Sequence, residues 1–117
     1  MEKILTVGIP AFHAIQTLPI LLGSILTQTI KDEISIIIAN DAPEDNDNYN
    51  FLKDSYPMLD INILSCEKNT GPGLARQRCL DNCKTDWITF IDADDVFMNP
   101  FSLENLINNI TPNCIEV

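Results

Sequence analysis

The chain alternates between short, almost wholly apolar runs and longer segments in which apolar residues recur every three or four positions. The apolar runs are typical of strands that are buried on both faces, and the periodic segments are typical of helices with one apolar face. The predicted strands occupy residues 4–9, 34–39, 61–64 and 86–91. Strands that alternate with helices in this way predict parallel βαβ units with right-handed crossovers.

The predicted helices occupy residues 17–29, 49–55, 74–83 and 102–109. Thr17 can cap the first helix, and Pro19 is tolerated in its first turn. Pro10 is expected to end the first strand, and residues 115–117 are typical of a strand that is just beginning. We therefore predict an α/β fold, in which a Rossmann-like parallel sheet of about four strands with flanking helices forms one domain over residues 1–117.

The net charge of the chain limits the kinds of partner that it can bind. It has 117 residues, a formal net charge of −10 and only seven lysines and arginines. Nucleic acid and anionic membranes repel such a chain, so we expect it to bind neither without help. An anionic substrate needs a metal ion or a few well-placed cations.

The four cysteines do not show the spacing of a structural zinc site, since Cys79 and Cys83 have no second close pair or nearby histidine. We interpret them as free thiols of a cytosolic protein. No signal-like segment and no run of about 20 apolar residues occurs, so we expect a cytoplasmic chain without a transmembrane segment. His13 is assigned no role, and Trp87 is expected to pack in the core.

Three carboxylates follow the last predicted strand directly: Asp92, Asp94 and Asp95. So many like charges repel one another unless a positive charge lies between them. A hard divalent cation with oxygen ligands is the natural candidate. The carboxyl edge of a parallel sheet is also where open α/β folds bind ligands.

Three other segments reach the same predicted edge: residues 10–12, 40–42 and 67–73. Asp41 can accept hydrogen bonds from a base or a ribose, although an Asx turn within its own loop is the alternative. Gly71 and Gly73 permit tight turns, and the N–H groups that open a helix favour anions. Arg76 can pair with Asp92 or Asp94 or meet a phosphate, and an ordinary surface arginine is the alternative. The acidic loop at residues 40–48 is either part of this site or a solvated turn.

With these residues in place, the chain resembles the start of an inverting family 2 glycosyltransferase with the GT-A fold. Residues 7–12, VGIPAF, resemble the family's opening strand and its IPxYN end. Residues 38–45, IANDAPED, resemble VNDGSxD, and residues 67–77, EKNTGPGLARQ, resemble ENxGxxxARN. Residues 90–95, FIDADD, resemble FLDxDD. Departures are Ala42 and Pro43 in place of Gly-Ser, and Gln77 in place of Asn.

The resemblance implies binding of a nucleotide-diphospho-sugar of the UDP or GDP type. Asp41 would contact the base, Asp92 would face the ribose or donor sugar, and Asp94 would hold Mn²⁺ or Mg²⁺ on the diphosphate. The residues expected to contact the donor are Pro10, Ala11, Phe12, Asp41, Asn69, Gly71, Arg76, Asp92 and Ala93, and the expected metal ligands are Asp94 and Asp92.

The resemblance also implies a second half that carries the acceptor surface and a general base. No residue here matches that base, so we expect a donor-binding part, truncated before the acceptor half, with little or no transferase activity alone. An uncovered sheet edge would favour self-association into a homo-oligomer. The motifs do not specify the acceptor.

Three alternatives stay open at this point. A phosphoacceptor receiver domain would need an acidic pair after the first strand, where Pro10, Ala11 and Phe12 stand. A sugar nucleotidyltransferase would need a glycine-rich phosphate loop at the same place. A catalytically inactive nucleotide-binding or interaction module is the non-enzyme alternative.

Overall fold

A four-stranded parallel sheet forms the centre of the protein. The computed structural model describes residues 2–109, which include the strands β1 (Leu5–Ala11), β2 (Ile34–Asn40), β3 (Asp60–Leu64) and β4 (Trp87–Phe90). Their order in the sheet is β3-β2-β1-β4, and every neighbouring pair is parallel. The α/β class and the parallel sheet predicted from the sequence are confirmed. The chain moves outward from β1 in both directions, which creates the switch point where such sheets bind ligands.

Four helices connect and flank the strands: α1 (Leu18–Leu26), α2 (Asn46–Asp54), α3 (Pro72–Asp81) and α4 (Ser102–Asn108). Two short 3-10 turns, Lys31–Glu33 and Pro43–Asp45, precede β2 and α2. All four predicted helices exist, with bounds that differ by a few residues. The strand predicted at residues 115–117 lies outside the described residues.

The prediction that Pro10 ends the first strand is wrong, because β1 continues through Pro10 to Ala11. The carbonyl of Gly8 faces β4 and accepts a hydrogen bond from the N–H of Ile91 at 3.1 Å. In a parallel ladder, the backbone groups of alternate residues point towards the same neighbouring strand. The backbone nitrogen of Pro10 therefore points towards β4, as the carbonyl of Gly8 does. The pairing with β4 ends at Gly8, and the missing N–H of Pro10 therefore costs no ladder hydrogen bond.

The sheet is covered on both faces, which explains why its strands are continuously apolar. The larger core lies between one face and α1, α2 and α4, and its buried members include Val7, Ile36, Leu22, Tyr49 and Leu103. Trp87 packs against this core, as expected. The smaller core lies against α3 and contains Ile37, Ala39, Ala75, Cys79 and Ile88.

Gly8 allows α3 to approach the sheet closely. A Cβ atom at this position would lie 2.9 Å from two ring carbons of Phe90 and 3.2 Å from Cβ of Cys79. The packing therefore brings the start of α3 directly over the carboxyl ends of β1 and β2. Among residues 2–109, no helix is both long enough and apolar enough to cross a membrane.

Candidate functional site

The carboxyl edge of the sheet surrounds a hollow of about 340 Å³. The hollow is lined by Pro10, Ala11, Phe12, Asp41, Asn69, Gly71, Pro72, Ala75, Arg76 and Asp92. A second hollow of about 400 Å³ adjoins it and is lined by Pro10, Phe12, His13, Ala14, Thr17, Asp92, Ala93 and Asp94. The structure thus brings the residues that the sequence singled out into two hollows that share Pro10, Phe12 and Asp92.

Asp41 connects the end of β2 to the loop before α3. Its N–H donates to the carbonyl of Ala11 at 2.8 Å. Its carboxylate accepts hydrogen bonds from the N–H and the hydroxyl of Thr70, at 2.7 and 3.1 Å, and from the N–H of Gly71 at 2.8 Å. A carboxylate offers about four lone-pair sites, so one acceptor position remains for a group in the hollow.

The environment of Asp41 favours its ionised form. Burial of this side chain, which is 4% exposed, acts to raise its pKa. The hydrogen bonds from Thr70 and Gly71, together with the positive charge of Arg78, outweigh burial and lower the pKa below the ordinary value of 3.8. Asp41 is therefore a fixed negative charge at neutral pH.

Two further side chains, neither assigned a role from the sequence, hold the neighbouring loops. Arg78 donates to the carbonyls of Asn40 and Ser65, at 3.0 and 2.6 Å, and so joins the ends of β2 and β3. Asn46 donates to the carbonyl of Cys66 and accepts from its N–H, at 2.8 and 3.2 Å. These loops are anchored by side chains that lie far away in sequence.

Arg76 forms an ion pair with Asp92, as the sequence suggested. The distance between Nη2 and Oδ1 is 3.6 Å, and the two side chains are 46% and 61% exposed. An exposed pair of this kind stabilises the fold little. Both groups therefore remain available to a ligand in the first hollow, which they both line.

Asp92, Asp94 and Asp95 form a compact acidic turn after β4, closed by a hydrogen bond from the N–H of Asp95 to the carbonyl of Asp92 at 3.0 Å. Each of the three exposed side chains offers a carboxylate oxygen, and these oxygens lie within 4.8 Å of one another. Such an all-oxygen donor set fits a hard divalent cation, as Mn²⁺ or Mg²⁺ requires.

His13 is the site residue that sequence reasoning missed. It adopts a φ of 51°, which is uncommon for a residue other than glycine. Its Nε2 lies 3.1 Å from Oε1 of Glu44, and its Nδ1 lies 3.1 Å from Oδ2 of Asp45. The sequence signal was available, since His13 follows one strand end and the acidic pair follows the next.

The cysteines of the described residues, Cys66, Cys79 and Cys83, are free thiols. Burial raises the pKa of Cys79 to about 11, so this thiol stays protonated at neutral pH. Burial acts to raise the pKa of Cys83 as well, but hydrogen bonds with Thr6 and Thr85 lower it overall. None of these thiols lines the two hollows.

Comparison with known families decides the affiliation of the chain. The model of glycosyl transferase family 2 matches residues 6–115. This chain belongs to glycosyl transferase family 2. Membership in this family decides against the receiver-domain and nucleotidyltransferase alternatives.

Several glycosyltransferases are similar to this chain in sequence. An uncharacterised glycosyltransferase of Bacillus subtilis, YwdF, is 34% identical over 106 residues, which cover 91% of this chain and 38% of YwdF. A processive diacylglycerol beta-glycosyltransferase of Mycoplasma pneumoniae is 27% identical over 113 residues, which cover 94% of this chain and 33% of the relative. The chain thus spans little more than a third of these relatives.

Solved structures share its fold. S. aureus TarS 1-349 in complex with UDP-GlcNAc superposes with a TM-score of 0.80 at 21% identity, covering 91% of this chain and 30% of TarS 1-349. The mannosyltransferase PcManGT from Pyrobaculum calidifontis, in complex with GDP-Man and Mn²⁺, gives a TM-score of 0.81 at 15% identity, covering 92% of this chain and 32% of the enzyme. The family 2 chain therefore has the GT-A type of fold that its motifs resembled.

Proposed function

We propose that the hollow at the carboxyl edge of the sheet binds a nucleotide-diphospho-sugar of the UDP or GDP type. The binding would depend on Mn²⁺ or Mg²⁺, and the chain would serve as the donor-binding part of an inverting glycosyltransferase. The observation that carries the proposal is the convergence of Asp41, Phe12, Arg76 and the acidic turn on adjoining hollows. The complexes of TarS with UDP-GlcNAc and of PcManGT with GDP-Man and Mn²⁺ support this choice of ligand.

The nucleoside would occupy the end of the hollow between β1 and α3. Pro10, Ala11 and Phe12 supply apolar walls, and the ring of Phe12 is 55% exposed. A planar base can stack on such a ring. The remaining acceptor position of Asp41 would accept a hydrogen bond from an N–H or a hydroxyl group of the ligand. Both a base and a ribose provide such a group.

The diphosphate would lie between Arg76 and the acidic turn. The chain carries a net charge of −10, so a diphosphate meets repulsion unless positive charge is present locally. Arg76 supplies one such charge beside Asp92. Asp94 and Asp92 would hold the divalent cation, which when bound supplies Lewis-acid stabilisation of the nucleoside diphosphate as it leaves.

We also propose that transfer goes to an acceptor hydroxyl with inversion, as in the family that the motifs resemble. This step needs a general base, and we place that base outside this chain. The chain on its own would then bind the donor and transfer little sugar.

Calorimetric titration of UDP and GDP, with and without Mn²⁺, tests the proposal. We expect binding of at least one of the two nucleotides in the presence of Mn²⁺ and much weaker binding in EDTA. Asp94→Asn removes one expected metal ligand, so the dissociation constant should rise at least about tenfold. Asp86→Asn is the matched control, because Asp86 is exposed at the opposite end of β4.

The outcome separates the donor site from its alternatives. Equal loss of affinity in both variants would indicate a general charge effect and would contradict the assigned metal site. Nucleotide binding that does not depend on Mn²⁺ would contradict the proposal that the acidic turn holds the divalent cation. Absence of binding for either nucleotide would refute the donor site itself.

A further inference from the structure

His13 lies between two carboxylates that belong to another loop. Its ring nitrogens are each 3.1 Å from a carboxylate oxygen, Nε2 from Glu44 and Nδ1 from Asp45. Ionised carboxylates only accept hydrogen bonds, and a neutral imidazole carries a single N–H. The contact of Nδ1 with Asp45 is a hydrogen bond in which the ring therefore donates, and Nε2 lies in close contact with the carboxylate of Glu44.

The bridge joins two loops at the mouth of the site. His13 follows β1, whereas Glu44 and Asp45 belong to the 3-10 turn that follows β2. The backbone of His13 is held at a φ of 51°, a conformation that persists only when the surroundings support it. The hydrogen bond with Asp45 and the contact with Glu44 supply that support, because they hold the ring from both sides.

The bridge also fixes Phe12. The centroids of the rings of Phe12 and His13 are 4.1 Å apart, with an angle of 59° between the planes. Phe12 lines both hollows, and His13 lines the second one beside Asp92 and Asp94. A ring that is exposed at 55% has few other neighbours to restrain it, so its position depends on the loop that carries it.

We propose that His13, which bridges Glu44 and Asp45, is a positioning residue that holds the ring of Phe12 against the donor nucleoside. The proposal rests on the donor site described above. The charged groups around His13 are Glu44 and Asp45 in the turn, and Asp92 and Asp94 across the second hollow. The backbone N–H of the next residue, Ala14, donates to the hydroxyl of Tyr49.

The first test needs no ligand. NMR spectra of the unchanged chain and of Asp45→Asn, which keeps the ring of His13, report the position of the Phe12 ring through its signals. We expect the Phe12 signals to differ between the two proteins, since the bridge that holds the neighbouring His13 ring is then broken at Asp45.

The second test uses nucleotide affinity. Asparagine tolerates a positive φ, so His13→Asn preserves the backbone at this position. The substitution removes the contacts of the ring with Glu44 and Asp45. We expect the dissociation constant of His13→Asn for UDP or GDP with Mn²⁺ to be about three- to tenfold higher than that of the unchanged chain.

A double-mutant cycle distinguishes positioning from a general structural effect. Asp45→Asn should weaken binding in the unchanged chain and should have little further effect in the His13→Asn background. Asp47→Asn is the matched control, since within residues 2–109 this exposed neighbour makes no side-chain hydrogen bond or ion pair. Asp47→Asn changes the net charge as much as Asp45→Asn does, and it should leave the dissociation constant for the nucleotide unchanged.

The results overturn the proposal in distinct ways. Phe12 signals that are the same in His13→Asn and in the unchanged chain contradict the positioning role, whether or not nucleotides bind. Phe12 signals that are the same in Asp45→Asn and in the unchanged chain contradict the bridge. If the unchanged chain binds no nucleotide, the donor site is refuted and the inferred contact with the nucleoside is refuted with it.

Discussion

Asp41 shows how one side chain can organise a loop that lies 29 and 30 residues further along the chain. Its position was predictable, because it follows a buried strand directly. Its hydrogen-bond donors, Thr70 and Gly71, were not, since no local pattern connects these residues to β2. The contact of Asp41 with a base stays a prediction. The hydrogen bonds with Thr70 and Gly71 give Asp41 a structural role as well.

We predict that Asp41→Asn destabilises the protein in a pH-dependent manner. The amide N–H₂ would face the N–H groups of Thr70 and Gly71, and the charge-assisted hydrogen bonds would be lost, at a cost of about 2 kcal/mol in the free energy of unfolding at neutral pH. The folded-state pKa of Asp41 is lowered below 3.8. The stabilisation is therefore present above about pH 3.8 and is lost as the pH falls through the folded-state value.

Urea unfolding of both proteins over a pH series measures this difference. The difference in free energy should narrow at low pH, where the carboxylate of the unchanged chain is protonated. Asp54→Asn is a control, because Asp54 is exposed on α2 and makes no side-chain hydrogen bond within the described ranges. A pH-independent difference would show that Asp41 acts through packing and not through its charge.

At the scale of elements, α3 depends on the backbone of the residue that precedes it. Gly71 has a φ of 93° and a ψ of 162°, a region that only glycine enters readily. Its N–H reaches Asp41, while its carbonyl accepts the hydrogen bond from Ala75 that opens the helix, at 3.1 Å. The conformation of one residue thus sets both the start of α3 and one wall of the hollow that Asp41 and Arg76 line.

We predict that Gly71→Ala lowers the free energy of unfolding by about 1–3 kcal/mol through backbone strain. A Cβ at this position would meet no atom within 4 Å, so steric overlap does not contribute. Gly73→Ala is the matched control: it is equally open in space but lies inside α3, where alanine is favoured by up to about 1 kcal/mol. Thermal unfolding of the two variants should therefore shift in opposite directions, and a shift of the same sign would contradict the strain.

The starts and ends of elements were harder to predict than their existence. The continuous apolar runs indicated the strands, because both faces of the sheet are covered. Pro10 misled the prediction of the end of β1, because the sequence does not show on which side β4 stops pairing. Helix α2 begins at Asn46, earlier than the residue 49 expected from its weak apolar pattern.

For the whole molecule, net charge and an open sheet edge act against each other. Within residues 2–109, β4 pairs only with β1, so its other edge has no strand beside it. An open edge favours association with another strand. The net charge of −10 keeps copies of the chain apart.

We predict that self-association depends on salt. At about 0.01 M ionic strength, charges act over about 30 Å and the chain should sediment as a monomer, whereas at about 1 M they act over about 3 Å and association should become detectable. Sedimentation velocity over a concentration series at both salt levels measures this. A sedimentation coefficient that is independent of concentration in high salt would contradict association through the edge of β4.

The sequence by itself determined the class of the fold, the order of its strands and helices, and the strand ends that carry polar residues. These follow from local patterns, because burial on two faces demands continuous apolar runs and parallel strands must end at a common edge. The tertiary structure alone decided which distant groups meet, namely Asp41 with the loop before α3 and His13 with Glu44 and Asp45. Such pairings depend on how loops from different strands pack, and hydrogen bonds between loops leave no periodic trace in the sequence.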